Sequence, residues 1–220
     1  MKIALPDPPK PVHVGKLLCI GRNYADHAAE MEREVPDEPM VFLKPASALI
    51  RTEGTVRLPP QSREVHHEVE LVAVLGKKGK HIPRTDALDH VAAYAVGVDM
   101  TARDLQTKAK EKRHPWSVAK GFDTFAPLGP LTPTAAIEDP QDLIIRLSVN
   151  GKIRQEASTE RLIFPVQELV HYCSQIFTLM PGDLLYTGTP SGVGPVEDGD
   201  ELEASATGID SLRVAVSRSS

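Results

Sequence analysis

Two glutamates in "HHEVELVAVLG", His66 to Gly76, pose the first chemical question of this sequence. The stretch alternates as a strand: Val69, Leu71 and Ala73 share one face, Val72 and Val74 the other. Apolar residues on both sides are the pattern of a buried central strand. Glu68 and Glu70 fall on the Val72 face, and residues two apart on a strand project the same way, about 7 Å apart. Buried, each carboxylate costs several kcal/mol unless something positive compensates it. A divalent ion gripped by both would do so; at a solvated strand edge no compensation is needed. Asp99 ends the apolar run "AVGVDM" just before a helical pattern, so it sits at a strand tip, either as a third ligand or as a helix N-cap. Three carboxylates without a cysteine cluster make an all-oxygen site, which suits Mg²⁺, Mn²⁺ or Ca²⁺ better than zinc.

Other residues have spacings that permit chemistry. His27 and Glu30 in "GRNYADHAAE" are neighbours on one helix face. A carboxylate beside an imidazole raises its basicity and fixes its tautomer, as a general base requires, although the same pair is also an ordinary surface contact. Arg103 and Gln106 repeat that spacing on the helix after Asp99 and would overhang whatever Asp99 binds, an arrangement suited to a substrate carboxylate. Lys120, in the apolar "AKGFDTF", either snorkels to solvent or sets a cation against developing negative charge. "YTGTPSGVGPV", around Thr189, offers a nest of backbone N–H groups for an anion, or a plain turn. It lacks the Lys-Ser/Thr ending of a phosphate loop and precedes no helix, which argues against a nucleotide.

These side chains need elements to hold them. At 220 residues the chain suits one sizeable core, and a formal charge of -5 makes it no polycation for nucleic acid or anionic lipid. The longest apolar runs, such as "LLCI", are too short to cross a bilayer, and "MKIALPDPPKP" lacks the apolar centre of a secretory signal. A cytoplasmic protein with neither membrane nor nucleic-acid partners is expected. Cys19 and Cys173 sit in apolar contexts and read as buried reduced thiols. Proline, at 19 of 220 residues, exceeds the average of roughly 5% and favours turns. Residues 1–15 read as an extended arm and residues 16–220 as one α+β domain. Within it, helical patterns cover "GRNYADHAAEMERE", a short stretch capped by Thr85 or Asp86, "TARDLQTKAKEK" and "PVQELVHYCSQIF". Hairpins are expected on Asn150-Gly151 and Thr207-Gly208.

In order and spacing, "GRNYADHAAE", "FLKPASALI", "HHEVELVAVLG", "GVDMTARDLQ", "AKGFDTFAPLGP" and "GDLLYTGTPSGVG" resemble the fumarylacetoacetate hydrolase family. The likeness is to its short, single-domain branch of acylpyruvate hydrolases and oxaloacetate-acting enzymes, and runs from about Lys16 nearly to the C-terminus. It implies a mixed β-roll or sandwich with flanking short helices, usually as a homodimer. It implies Glu68, Glu70 and Asp99 as ligands of Mg²⁺ or Mn²⁺, with Ca²⁺ able to substitute. His27 and Glu30 match the family's catalytic pair and Lys120 its catalytic lysine, while Arg103, Gln106 and Thr189 match positions that contact substrate. The implied activity on a small 2-oxo acid is hydrolysis of the carbon–carbon bond of a β-diketo acid, an acylpyruvate such as fumarylpyruvate or acetylpyruvate, with a pyruvate enolate leaving. The alternative on the same residues is decarboxylation of oxaloacetate or keto–enol isomerisation.

Overall fold

The alternating segments assemble into sheets in the computed structural model, which describes residues 1–6, 9–25 and 36–218. The largest sheet is ordered Met40–Lys44, Leu17–Gly21, Leu184–Tyr186, Val69–Leu75, Val91–Val98, Ala126–Leu128 and Leu49–Arg51, with Thr132–Pro133 added against Val91–Val98. It is mixed: Leu184–Tyr186 runs parallel to Leu17–Gly21, and Ala126–Leu128 parallel to Leu49–Arg51. Val69–Leu75 lies near its middle and is buried along its whole length. Val69, Leu71, Ala73 and Leu75 enter one core, whereas Val72 and Val74 enter a second core with Leu17, Cys19 and Tyr186. The two-sided apolar pattern of this strand is therefore met by packing on both faces.

A second sheet, of five strands, runs Lys152–Ser158, Ile144–Val149, Glu201–Ala206, Ile209–Arg218 and Gly54–Leu58. Its inward alternation, including Ile145, Leu147, Leu202, Ala204, Leu212 and Val214, fills the first core. Asn150 and Gly151 take positive φ values of 51° and 74°, the backbone that a tight hairpin requires and that Asn-Gly supplies at little cost. A short ribbon joins Thr101–Ala102, Val65–His67 and Gly194–Val196. Because Val65–His67 belongs to this ribbon and Val69–Leu75 to the large sheet, Glu68 stands at the joint between the two.

Three helices flank the sheets among the described residues: α1 (Arg103–Glu111), α2 (Ser117–Lys120) and α3 (Val166–Ile176). In α3, Val166, Leu169, Val170 and Cys173 are buried at the i, i+3, i+4, i+7 spacing of a core-facing stripe. The start of α1 is fastened by Asp104, whose carboxylate accepts the N–H groups of Leu105 at 2.9 Å and Arg63 at 3.0 Å and the Ser62 hydroxyl at 2.6 Å. The fold is thus the mixed β-roll with short helices that the sequence implies.

Two local expectations differ from what forms. The segment before Gly15 does not stay open but doubles back as an antiparallel hairpin of Lys2–Pro6 and Pro9–His13, and Ile3 and Leu5 join the second core. No α-helix forms around Thr85; Arg84–Asp86 and Leu88–His90 are single 3-10 turns. The chain is tethered by Pro83 on one side and enters the Val91–Val98 strand on the other, which leaves no room for a second turn. Cys19 and Cys173 are free and buried, and no helix is long and apolar enough to cross a membrane.

Register then decides which acidic groups meet. Val69 pairs with Val98 and Glu70 with Gly97, and beyond them the Asp99 N–H donates to the Glu68 carbonyl at 2.8 Å. Asp99 is thereby set opposite Glu68. Gly97 permits the close packing behind this point, since a Cβ there would lie 2.6 Å from both Tyr186 Cε1 and Val72 Cγ2. Gly97→Ala is expected to destabilise the protein by about 1–3 kcal/mol through overpacking. Urea unfolding checks this; an unchanged midpoint would mean that the two strands are less tightly apposed.

Candidate active site

One oxygen each from Glu68, Glu70 and Asp99 lies within 4.8 Å of the other two, and all three side chains are buried. An ion held about 2.1–2.5 Å from each oxygen needs them no more than roughly 5 Å apart. The donor set and its spacing therefore fit a hard divalent cation. Buried carboxylates this close also repel one another, so the surrounding charges matter.

The compensation is not left to an ion alone, as the sequence suggested. Lys120 Nζ lies 3.0 Å from Glu68 Oε2 and 2.5 Å from Asp99 Oδ2. Lys44 Nζ pairs with the other Asp99 oxygen and also donates to the carbonyls of Met100 at 3.0 Å and Phe125 at 2.5 Å. Arg103 Nη2 reaches Glu68 Oε1 at 2.6 Å, and the Thr101 hydroxyl donates to the same oxygen at 3.0 Å. Three cations thus pair with two of the three carboxylates. Burial alone would pull the Lys120 ammonium down, but Asp99 and Glu68 outweigh it and hold the group above the ordinary lysine range.

Glu70 is the exception. Among the described residues no cationic side chain pairs with it; its Oε2 accepts the Gly188 N–H at 2.7 Å. Burial, with Asp99 adding to it, pushes the Glu70 carboxyl well above the usual carboxylate range. The glycine-rich loop therefore does offer a backbone N–H to an anion, and that anion is the protein's own Glu70. Gly188 has φ of 102°, and a Cβ there would sit 2.7 Å from Asn23 Cβ, so the position requires glycine.

Arg103, Gln106 and Thr189 line a neighbouring pocket with Glu68, Lys120 and Trp116. Arg103 gives Nη1–H to Gln106 Oε1 at 2.7 Å and Nε–H to His66 Nδ1 at 3.3 Å. With the Glu68 bond, three of its five N–H groups are committed, leaving two for a ligand. Because the Gln106 oxygen faces Arg103, its amide N–H groups are turned away as donors. Thr189 is buried and lines the same pocket. His27 and Glu30 lie outside the described residues. The segment leading to them is anchored by Asn23, whose side-chain amide donates to Thr187 O at 2.8 Å and Phe164 O at 2.9 Å and accepts the Phe164 N–H at 2.8 Å.

The sequence did not single out Lys44 or Gln155. In Met40–Lys44 the lysine is the one fully buried residue, at a strand end where lysine ordinarily meets water. Gln155 Nε2 donates to Thr189 Oγ1 at 2.8 Å from a strand whose other side chains are exposed or half-buried.

The sequence profile described as fumarylacetoacetate (FAA) hydrolase C-terminal matches residues 16–217. The chain belongs to the fumarylacetoacetate hydrolase family. Among curated relatives, the mitochondrial oxaloacetate tautomerase FAHD1 of Arabidopsis thaliana is 46% identical over 203 residues, 92% of this chain and 91% of that protein. A mitochondrial oxaloacetate decarboxylase of Dictyostelium discoideum is 46% identical over 196 residues, covering 89% and 90%. The crystal structure of fumarylpyruvate hydrolase from Pseudomonas aeruginosa in complex with Mn²⁺ and pyruvate matches with a TM-score of 0.92 at 41% identity, over 100% of this chain and 96% of that one.

Two outcomes follow for this member of the fumarylacetoacetate hydrolase family. Lys44→Met removes one partner of a buried pair and is expected to cost about 3–5 kcal/mol in denaturant unfolding. Glu70→Gln keeps an oxygen for the Gly188 N–H and removes a buried charge. A carboxyl whose folded pKa is raised contributes stability below its unfolded pKa, near 4.3, and loses it as pH rises through the folded value. Thermal melts in chelator should therefore favour Glu70→Gln over the parent, by a margin that widens from about pH 4.5 upward. A margin independent of pH would show Glu70 to be ordinary.

Proposed function

We propose that this protein is a divalent-metal-dependent hydrolase that cleaves the carbon–carbon bond of an acylpyruvate, releasing pyruvate and a carboxylic acid. The observation that supports it most is the buried Glu68–Glu70–Asp99 triad beside a pocket whose Arg103 and Gln106 present N–H donors. Mg²⁺ or Mn²⁺ held by that triad would supply Lewis-acid polarisation of a 2-oxo acid's oxygens. Arg103, Gln106 and Thr189 hold the substrate carboxylate through charge-assisted hydrogen bonds. The His27–Glu30 pair takes a proton from the water that attacks the distal carbonyl, a contribution of ~10²–10⁴ in rate. Lys120, kept protonated by Asp99 and Glu68, faces the negative charge that develops as the carbon–carbon bond breaks and the pyruvate enolate departs. The proposal places the enzyme in the cytoplasm as a homodimer.

A second reading has its own support: the relatives at 46% identity are an oxaloacetate tautomerase and an oxaloacetate decarboxylase. Neither reaction needs an attacking water, and both generate negative charge at the same carbon beside a 2-oxo acid. Purified protein given acetylpyruvate, fumarylpyruvate or oxaloacetate with Mg²⁺ or Mn²⁺ separates the two. Cleavage of an acylpyruvate, abolished by chelator, is the expected result, and Lys120→Met should lower kcat by ~10²–10³ while the protein stays folded. Rapid loss or tautomerisation of oxaloacetate with both acylpyruvates intact would establish the second reading instead.

A further inference from the structure

Gln155 is the one fully buried residue of Lys152–Ser158 and is only 1% exposed. All four hydrogen-bonding positions of its amide are filled. Oε1 accepts the Val69 N–H at 3.1 Å and meets His67 Nδ1 at 2.9 Å. Nε2 donates to Thr189 Oγ1 at 2.8 Å and to the Pro190 carbonyl at 3.0 Å. The orientation is not arbitrary: a backbone N–H can only donate, so the amide oxygen must face Val69 and the nitrogen must face Thr189. His67 then carries a proton on Nδ1, because the amide oxygen can only accept.

This has a consequence for Thr189. Its oxygen receives a hydrogen from Gln155, so its own hydrogen must point elsewhere, and no acceptor among the described residues takes it. Thr189 lines the pocket shared by Arg103, Gln106 and Lys120. We propose that Gln155 is a positioning residue, which fixes the Thr189 hydroxyl as a hydrogen donor aimed at the carboxylate of the substrate. The inference rests on the proposal that this pocket binds a 2-oxo acid. With it the side of the pocket opposite Glu68 offers donors: two N–H groups of Arg103, the amide N–H groups of Gln106 and one hydroxyl. Such a rim favours an anionic oxygen over a neutral carbonyl or amide, because a carboxylate accepts every bond offered. Gln155 also reaches the backbone next to Glu68 through Val69, so one side chain ties the carboxylate-bearing strand to the Thr189 loop.

Calorimetric titration of oxalate in the presence of saturating Mn²⁺ tests this without requiring turnover. Thr189→Val and Gln155→Met are each expected to weaken oxalate binding about ten-fold, the size of one hydrogen bond to a charged group. Thr189→Ser should bind as the parent does. The double variant should be no weaker than Thr189→Val alone, because the two residues act through one hydroxyl. Should Gln155→Met not fold, Gln155→Asn, which withdraws the amide by one carbon, is expected to give the same pattern. A further ten-fold loss on adding either Gln155 substitution to Thr189→Val would overturn the proposal, as would failure of the parent to bind oxalate. Oxalate bound with the non-additive pattern, but without acylpyruvate cleavage, sinks the hydrolase reading and leaves the role of Gln155 standing; cleavage with additive losses does the reverse.

Discussion

Everything in this structure is arranged around carboxylates that cannot reach water. Three of them with an oxygen each within 4.8 Å of the others would raise one another's pKa and weaken the fold if nothing else were present. Lys44, Lys120 and Arg103 offset that repulsion. The balance is unequal, because among the described residues Asp99 has two lysines, Glu68 a lysine and an arginine, and Glu70 only a backbone N–H. Glu70 is where added positive charge would gain most, and the triad is open to a cation for that reason. The same pairs keep Lys120 charged in a buried place, where an isolated lysine would lose its proton. In the proposed reaction Lys120 opposes developing negative charge and needs this protection, so the electrostatics of stability and of the proposed catalysis are one arrangement.

The backbone does the placing. Asp99 faces Glu68 because two antiparallel strands pair in a register that a slip of one residue would destroy, turning Glu70 into the opposite core. Gly97 holds those strands against Tyr186, and Gly188 brings the loop close enough for its N–H to reach Glu70. The Thr187 hydroxyl and N–H both bond to the Leu71 carbonyl, so the loop is laced to the same strand that carries the glutamates. The buried triad sits on strand ends beside one tightly held loop, which gives fixed distances with few freely rotating elements.

Much of this was legible in order. The alternation around Leu71 marks a strand buried on both faces, and its two glutamates are conspicuous for that reason. The i, i+3 spacing of Arg103 and Gln106 places them side by side on α1, where they are in fact bonded to each other. What escaped were polar residues whose burial depends on distant chain. Lys44 looks like a solvated strand end, yet Asp99, Met100 and Phe125 wrap it. Plain alternation would put Gln155 on one strand face with Ile153 and bury the isoleucine; a bulge between them, where Leu147 pairs with Gln155 and Ser148 with Ile153, turns Ile153 out at 53% exposure while the Thr189 loop encloses the glutamine. The segment around Thr85 fell to a different limit, since helical periodicity counts for little where proline and a strand leave space for single turns. Local pattern reports which face is apolar, but not which polar group a loop far along the chain will cover.

The chemistry that separates the candidate reactions lies in one component. Hydrolysis, decarboxylation and tautomerisation all place negative charge beside the carbonyl of a 2-oxo acid, so the triad, Lys120 and the donor rim serve each equally. Only hydrolysis also needs a water made nucleophilic, the task proposed for His27 and Glu30. The chain that leads into them is fixed by Asn23, whose amide joins the carbonyl of Thr187 to the backbone at Phe164. Thr187 precedes Gly188 and Thr189 directly, so the tether of the proposed base ends on the same loop that contacts Glu70 and the substrate pocket. On the proposed reaction, a change in that loop would therefore act on the ion site, carboxylate recognition and water activation together.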